Sequence, residues 1–376
     1  MPSHPSAIYL HVGPPKTGTT YLQQVLWNNR TQLARSGLAI PGARPLDHFH
    51  AALDLRSIEF GGYVNPDVAG AWSRLATAAG STRTPKTVIS HEVLAGADES
   101  QIARVARDLA PTEVHVVYGA RDLARQLPAV WQESLKNRRT RRFERFLDAA
   151  LEDLDGVAHT SRSGFWKAQD AGAALRRWSA AVPPERIHVM TVPRPGASSA
   201  TLWERFATCL GVEPTGIDLD VRRSNPSLTR EDAEVLRRLN KQLPDELPWP
   251  QYERIVKARF NRRADERVTG GAVRVPREYR ERVLACAERT REELATAGYA
   301  VVGDLDDLIP SDQDFAAPGA TAAADPEGVV DAAVALLAAA LADRGARPPR
   351  LPSGAPSGAR AMVGRWSQSR RVRRRQ

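Results

Sequence analysis

Apolar residues recur along this chain with two alternating periods, and the changes of period mark its elements. Residues 8–12 form a short, mostly apolar run that reads as a strand ending in Gly13-Pro14-Pro15-Lys16-Thr17-Gly18. Tyr21, Leu22, Val25 and Leu26 then fall on one helical stripe, which predicts a helix over 19–36 closed by Gly37. Further strands are expected at 87–90, 113–118 and 187–192, with a short apolar piece at 38–40. Between them, helical periodicity covers 66–79, 100–109, 123–136 (interrupted at Pro128), 144–154, 166–182 and 202–210. Trp166, Leu175 and Trp178 are expected on buried sides, whereas 43–65 reads as irregular. From Thr229 the pattern is helical and amphipathic at 229–243, 250–263 and 277–297. Strands alternating with helices at this spacing imply an α/β fold with a central parallel sheet, right-handed crossovers and a helical C-terminal half.

Composition divides the chain near residue 310. A catalytic-sized domain over 1–310 is followed by 311–376, where an Ala/Asp/Pro/Gly-rich linker, one Ala-rich helix at 329–342 and a Pro/Ser/Gly/Arg-rich tail expected to be disordered succeed one another. The formal charge of +9 suggests a nucleic-acid binder until it is located. Seven arginines and no acid lie in 351–376, leaving +2 for residues 1–350, so no specific nucleic-acid partner is expected. The tail could touch anionic surfaces, although a solubilising end is the plainer reading. Cys209 and Cys286 fit neither a disulfide framework nor a metal site, and no signal-like N-terminus or membrane-length apolar run is seen. A cytoplasmic protein is expected.

The chemistry concentrates in the first loop. Gly13 and Gly18 flank a lysine in a turn that leads from a strand into a helix, an arrangement that aims backbone N–H groups and a helix N-terminus at one point and so binds phosphate. A nucleoside-triphosphatase loop carries its lysine directly after the second glycine, followed by a magnesium-binding Ser or Thr. Here the lysine is Lys16, inside the loop, and Thr19-Thr20 follow Gly18. The site therefore reads as one for phosphate without a required metal.

Pro15-Lys16-Thr17-Gly18-Thr19-Thr20 resembles the 5′-phosphosulfate loop of sulfotransferases that use 3′-phosphoadenylyl sulfate, and residues 114–122, ending in Gly119-Ala120-Arg121-Asp122, resemble the family's strand and 3′-phosphate arginine. The pieces 165–170 and Asn225-Pro226-Ser227-Leu228 are similar to segments of bacterial sulfotransferase-like proteins. The resemblance covers about residues 7–310 and implies a P-loop NTPase-like three-layer fold. It also implies 3′-phosphoadenylyl sulfate as co-substrate, held by Pro15, Lys16, Thr17, Gly18, Thr19, Thr20 and Arg121. The serine that the family usually places eight residues after the arginine is Ala129 here. Ser134, or arginines such as Arg138, Arg222 and Arg223, would have to share the 3′-phosphate instead.

Sulfuryl transfer is an in-line displacement in which positioning and electrostatics dominate. By the resemblance, Lys16 would stabilise the bridging oxygen, and the general base would be His91 or Glu92 at the end of the second long strand. Glu92 is preferred because the His-Glu ending looks like the bacterial branch. The acceptor is a hydroxyl or amine of a small molecule, carbohydrate or lipid, expected to meet residues 43–65 and 138–170. Two other readings stand beside this one: a P-loop nucleotide kinase or NTPase, and a non-catalytic protein that binds nucleotide or polyanion. Among the remaining polar residues, His11 reads as a core histidine, His48 and His50 as part of a solvated loop, and the arginines of 138–145 as a solvated helix face.

Overall fold

The computed structural model describes residues 5–59, 63, 65–152, 165–213, 215–221, 227–244, 246–265, 271–319 and 323–345. Six strands form one parallel sheet in the order β2-β3-β1-β4-β5-β6. They are β1 (Ala7–Gly13), β2 (Leu38–Ala39), β3 (Lys86–Ser90), β4 (Glu113–Ala120), β5 (Ile187–Thr191) and β6 (Ala300–Val302). The first half of the chain supplies helices α1 (Thr19–Asn28), α2 (Arg30–Arg35), α3 (Pro45–Arg56), α4 (Ala71–Gly80), α5 (Glu99–Leu109), α6 (Leu123–Lys136) and α7 (Phe143–Glu152). Then come α8 (Trp166–Gln169), α9 (Ala171–Ser179), α10 (Ser199–Leu210), α11 (Arg230–Gln242), α12 (Trp249–Tyr252), α13 (Ala258–Asp265), α14 (Arg280–Thr296) and α15 (Pro326–Gly345).

β1 is buried along its whole length, as a central strand covered on both faces must be. Its alternate side chains separate two cores. Ile8, Leu10 and Val12 face a cluster with Leu55 of α3, Trp72 of α4, Ile102 of α5 and Trp178 of α9. Tyr9 faces the other way, toward Leu22 and Val25 of α1, Leu33 of α2, and Trp203 and Phe206 of α10. These three layers are the α/β architecture that the sequence pattern implies, and Trp166, Leu175 and Trp178 are buried as expected.

Several local expectations change. The helix expected over 19–36 breaks at Asn29, whose amide donates to the carbonyls of Val25 and Asp218 and so diverts the helical ladder. Pro128 lies within α6 and does not end it. Much of 43–65, read as irregular, is α3: Pro45 occupies the first turn, where a proline costs no hydrogen bond, and Asp47 accepts from the amides of Ala43 and Arg44. His48 and His50 are consequently buried on a helix. β6 is an edge strand of only three residues, Ala-Val-Val, too short for a period to show.

Contacts divide the chain into units 1–332 and 333–376. The segment whose composition marks a linker begins by packing on the first unit: Phe315 is buried, and the amide of Ala316 bonds the carbonyl of Val275.

Candidate active site

In an open parallel sheet, ligands gather beyond the carboxyl ends of strands where successive crossovers run in opposite directions. The connection leaving β1 runs toward β2, and that leaving β3 runs toward β4. Because β1 lies between β3 and β4, three sequence-distant pieces meet there: the loop 13–18, His91-Glu92 and Arg121. Gly13 has φ +97, and a Cβ on it would stand 2.7 Å from the Cα of Glu92. Only glycine lets the two strand ends approach so closely.

The loop is held from its carbonyl side. The Thr17 hydroxyl donates to Pro14 O at 2.7 Å, Gln126 Nε2 to Pro15 O at 2.7 Å, and Arg121 to Lys16 O at 2.7 Å. Gln169, from the segment 165–170, also reaches Pro15 O. Thr17 is buried against Gly119, where a Cβ would lie 2.8 Å from the threonine hydroxyl. With three successive carbonyls so occupied and Lys16 in the left-handed region at φ 74, the loop backbone is fixed before any ligand arrives. It feeds α1 through Gly18, which provides no side-chain cap, so the first amides of that helix have no partner within it. The result is a rigid set of N–H groups of the kind that binds anions.

Arg121 has the role of a brace here. Its guanidinium holds the loop, its Nε is buried without a partner, and burial, followed by the neighbouring Arg125, pulls its pKa down to about 10. It borders a cleft of about 40 Å³ with Gln126, Trp166, Gln169 and Thr290. A half-buried cation with a buried, unpartnered donor fits an anion. The Ser134 hydroxyl, by contrast, donates to the Trp131 carbonyl within its own helix. Arg138 is committed to the carbonyls of Pro244 and Leu247 and to the Tyr252 ring. Arg222, Arg223, Asn225 and Pro226 lie outside the described residues.

His91 and Glu92 do different things. His91 caps the short 3₁₀ turn Glu92–Gly96 by accepting the Val93 amide on Nδ1, and its ring stacks on Phe49 of α3 at 4.9 Å. Burial lowers its pKa, so the imidazole is neutral near pH 7 with its proton on the other nitrogen. Glu92 accepts from Gln23 Nε2 at 3.0 Å and lies 3.9 Å from His91 Nδ1. Burial disfavours its charged form, yet His91, its own backbone amide and Gln23 together hold the carboxyl below its ordinary pKa. Beneath them His11 is fully buried, bonded to the Ser90 hydroxyl and pulled down to about 4 by desolvation. It is the core histidine that its place in the strand implies.

The sequence reading missed four residues. Gln126 and Gln169 brace the loop, Gln23 orients Glu92, and Glu133 pairs with Lys16 at 2.6 Å. A signal existed for two of them: Gln126 and Glu133 are seven apart on α6, two turns along one face. Gln169 lies in the 165–170 piece that the sequence marks, without a role assigned to it, and Gln23 carries no such mark.

No family model matches this chain, and no curated protein matches it. Among solved structures, the chain is similar to a sulfotransferase from Alicyclobacillus acidocaldarius at 16% identity and a TM-score of 0.37. That match covers 67% of this chain and 95% of the other. What the chain's own geometry defines is an α/β protein with a parallel six-stranded sheet and a braced, glycine-flanked loop at its carboxyl edge. No helix among the described residues is long and apolar enough to cross a membrane, and no cluster of three or more His, Cys, Asp or Glu among them could hold a metal.

Proposed function

We propose that this chain is a sulfotransferase that takes its sulfuryl group from 3′-phosphoadenylyl sulfate and needs no metal ion. One observation carries the reading. The loop's carbonyls are braced from behind while its lysine lies within the loop and a carboxylate, Glu92, stands at the adjoining strand end. A donor bound there would bring an activated sulfuryl group on a nucleotide leaving group. The amides of residues 17–20 and the hydroxyls of Thr19 and Thr20 would hold its 5′-phosphosulfate oxygens, and Lys16 would balance charge at the bridging oxygen. The Thr17 hydroxyl takes no part, since it closes the loop. Arg121 keeps the 3′-phosphate role that the resemblance gives it, in addition to bracing the loop.

Glu92 is the general base. It is anionic at neutral pH, and Gln23 fixes one oxygen so that the other can take a proton from an acceptor hydroxyl or amine. His91 has spent its lone pair on the Val93 amide and serves as a positioning residue beside Glu92. Phe49, stacked on His91, brings α3 to this edge, which supports an acceptor seated against part of the 43–65 segment. Carbohydrate, lipid or a small molecule would satisfy such a site.

The test is transfer of sulfur-35 from labelled donor to a panel of sugar, lipid and phenol acceptors in EDTA. Glu92→Gln should lower turnover at least about 100-fold, the scale of a lost general base, with nucleotide affinity preserved. His91→Ala should lower it far less. Full activity in Glu92→Gln would remove this residue from the mechanism.

A further inference from the structure

A second cationic arm, from a part of the chain that neither motif includes, reaches the carboxylate that holds the loop lysine. The Glu133 carboxylate is bonded on Oε2 by Lys16 Nζ at 2.6 Å and on Oε1 by Lys257 Nζ at 3.2 Å. Lys136, buried one helical turn along, adds further positive charge. Burial alone would raise the Glu133 pKa, but Lys16 and Lys257 pull it down to about 2. Lys257 ends the π-helical turn Glu253–Lys257, a local widening of the helical ladder often found at functional sites. It is anchored a second time by Asn137 Oδ1 at 3.1 Å and lies over the Trp249 ring.

As it stands, Lys16 is committed to Glu133. Drawing it off would strip one cation from a largely buried carboxylate, a costly step unless another cation remains. Lys257 supplies that cation. We propose that Glu133 and Lys257 form a relay that positions Lys16: Glu133 holds the lysine aside, and Lys257 keeps the carboxylate neutralised when Lys16 turns to an anion on the loop. Both are positioning residues. The identity of the anion rests on the sulfotransferase reading; the Lys16–Glu133–Lys257 coupling does not.

The sign of each substitution follows. Glu133→Gln removes the competitor for Lys16 and should tighten binding of 3′,5′-adenosine bisphosphate about tenfold, the effect of one modest charge interaction. Lys257→Met leaves Glu133 more dependent on Lys16 and should weaken binding by a similar factor, with Lys257→Arg restoring it. Combined with Glu133→Gln, Lys257→Met should have no further effect. A nucleotide-free readout runs in parallel on the full-length chain. An amine held in an ion pair is acylated slowly by acetic anhydride, so mass spectrometry should find Lys16 labelled faster in Glu133→Gln and slower in Lys257→Met.

If Lys257→Met still weakens binding in the Glu133→Gln background, Lys257 touches the ligand and the relay is wrong. Unchanged Lys16 labelling in these variants overturns it equally. Should Glu133→Gln fail to fold, Lys257→Met and Lys257→Arg decide the matter through labelling alone. If the wild-type chain binds no adenosine bisphosphate, the sulfotransferase reading fails, while the labelling still decides the relay.

Discussion

At the scale of single residues, the loop depends on close approaches that leave no room for a side chain. Gly119→Ala would place a methyl group 2.8 Å from the Thr17 hydroxyl and 3.0 Å from its Cβ. Overpacking of this kind costs about 1–3 kcal/mol, and here the strain falls on Thr17, the residue that closes the loop. Urea unfolding should show that loss, and nucleotide binding should weaken with it; unchanged values for both would mean that the loop tolerates displacement. What was legible in the sequence is placement: Lys16, Thr17 and Gly18 were expected in a loop after the first strand and Glu92 at the end of another, and the fold sets these two strand ends side by side. The spacing of Gln126 and Glu133 and the 165–170 piece mark where to look for Gln126 and Gln169, but the contact of their amides with Pro15 is made only by the fold.

At the scale of elements, α6 connects the parts of the site. Its N-cap Asp122 accepts the Arg125 amide at 2.9 Å, and the helix then carries Gln126 to the loop's carbonyl side and Glu133 to Lys16. Asp122→Ala should cost about 0.5–2 kcal/mol from the lost cap, plus a share from the Arg125 ion pair, whereas Asp122→Asn keeps an acceptor and should recover part of it. Thermal unfolding of the two variants distinguishes them, and equal losses would deny the cap its role. Long periodic helices such as α6 and the four longer strands were readable. α3 was not, because a proline followed by Asp47, His48 and His50 mimics a loop until Pro45 is recognised as a first-turn residue. The break at Asn29 was also hidden, since it depends on a bond to Asp218, distant in sequence.

At the scale of the whole molecule, pH acts through buried histidines. His11 and His48 are held near a pKa of about 4 chiefly by desolvation, against 6.5 in an unfolded chain. Between those values the unfolded state binds more protons, so this contribution to stability is present above pH 6.5 and lost as pH falls toward 4. From pH 7 to pH 5 each should remove on the order of 2 kcal/mol. Urea midpoints should fall accordingly, and His48→Gln should flatten the slope; a midpoint independent of pH over this range would contradict the burial assigned to both rings. Glu133 acts in a lower window. Its depressed pKa contributes stability above the unfolded carboxyl value that disappears as pH falls from about 4.5 toward 2.

The central claim is that residues 13–20 form a metal-independent anion loop served by Lys16. Calorimetric titration with 3′,5′-adenosine bisphosphate in EDTA, on the wild-type chain and on Lys16→Ala, tests it most directly. The account predicts metal-free binding that Lys16→Ala weakens at least about tenfold, the equivalent of about 1.4 kcal/mol. Binding that survives Lys16→Ala unchanged, or that appears only with ATP and magnesium, would contradict it.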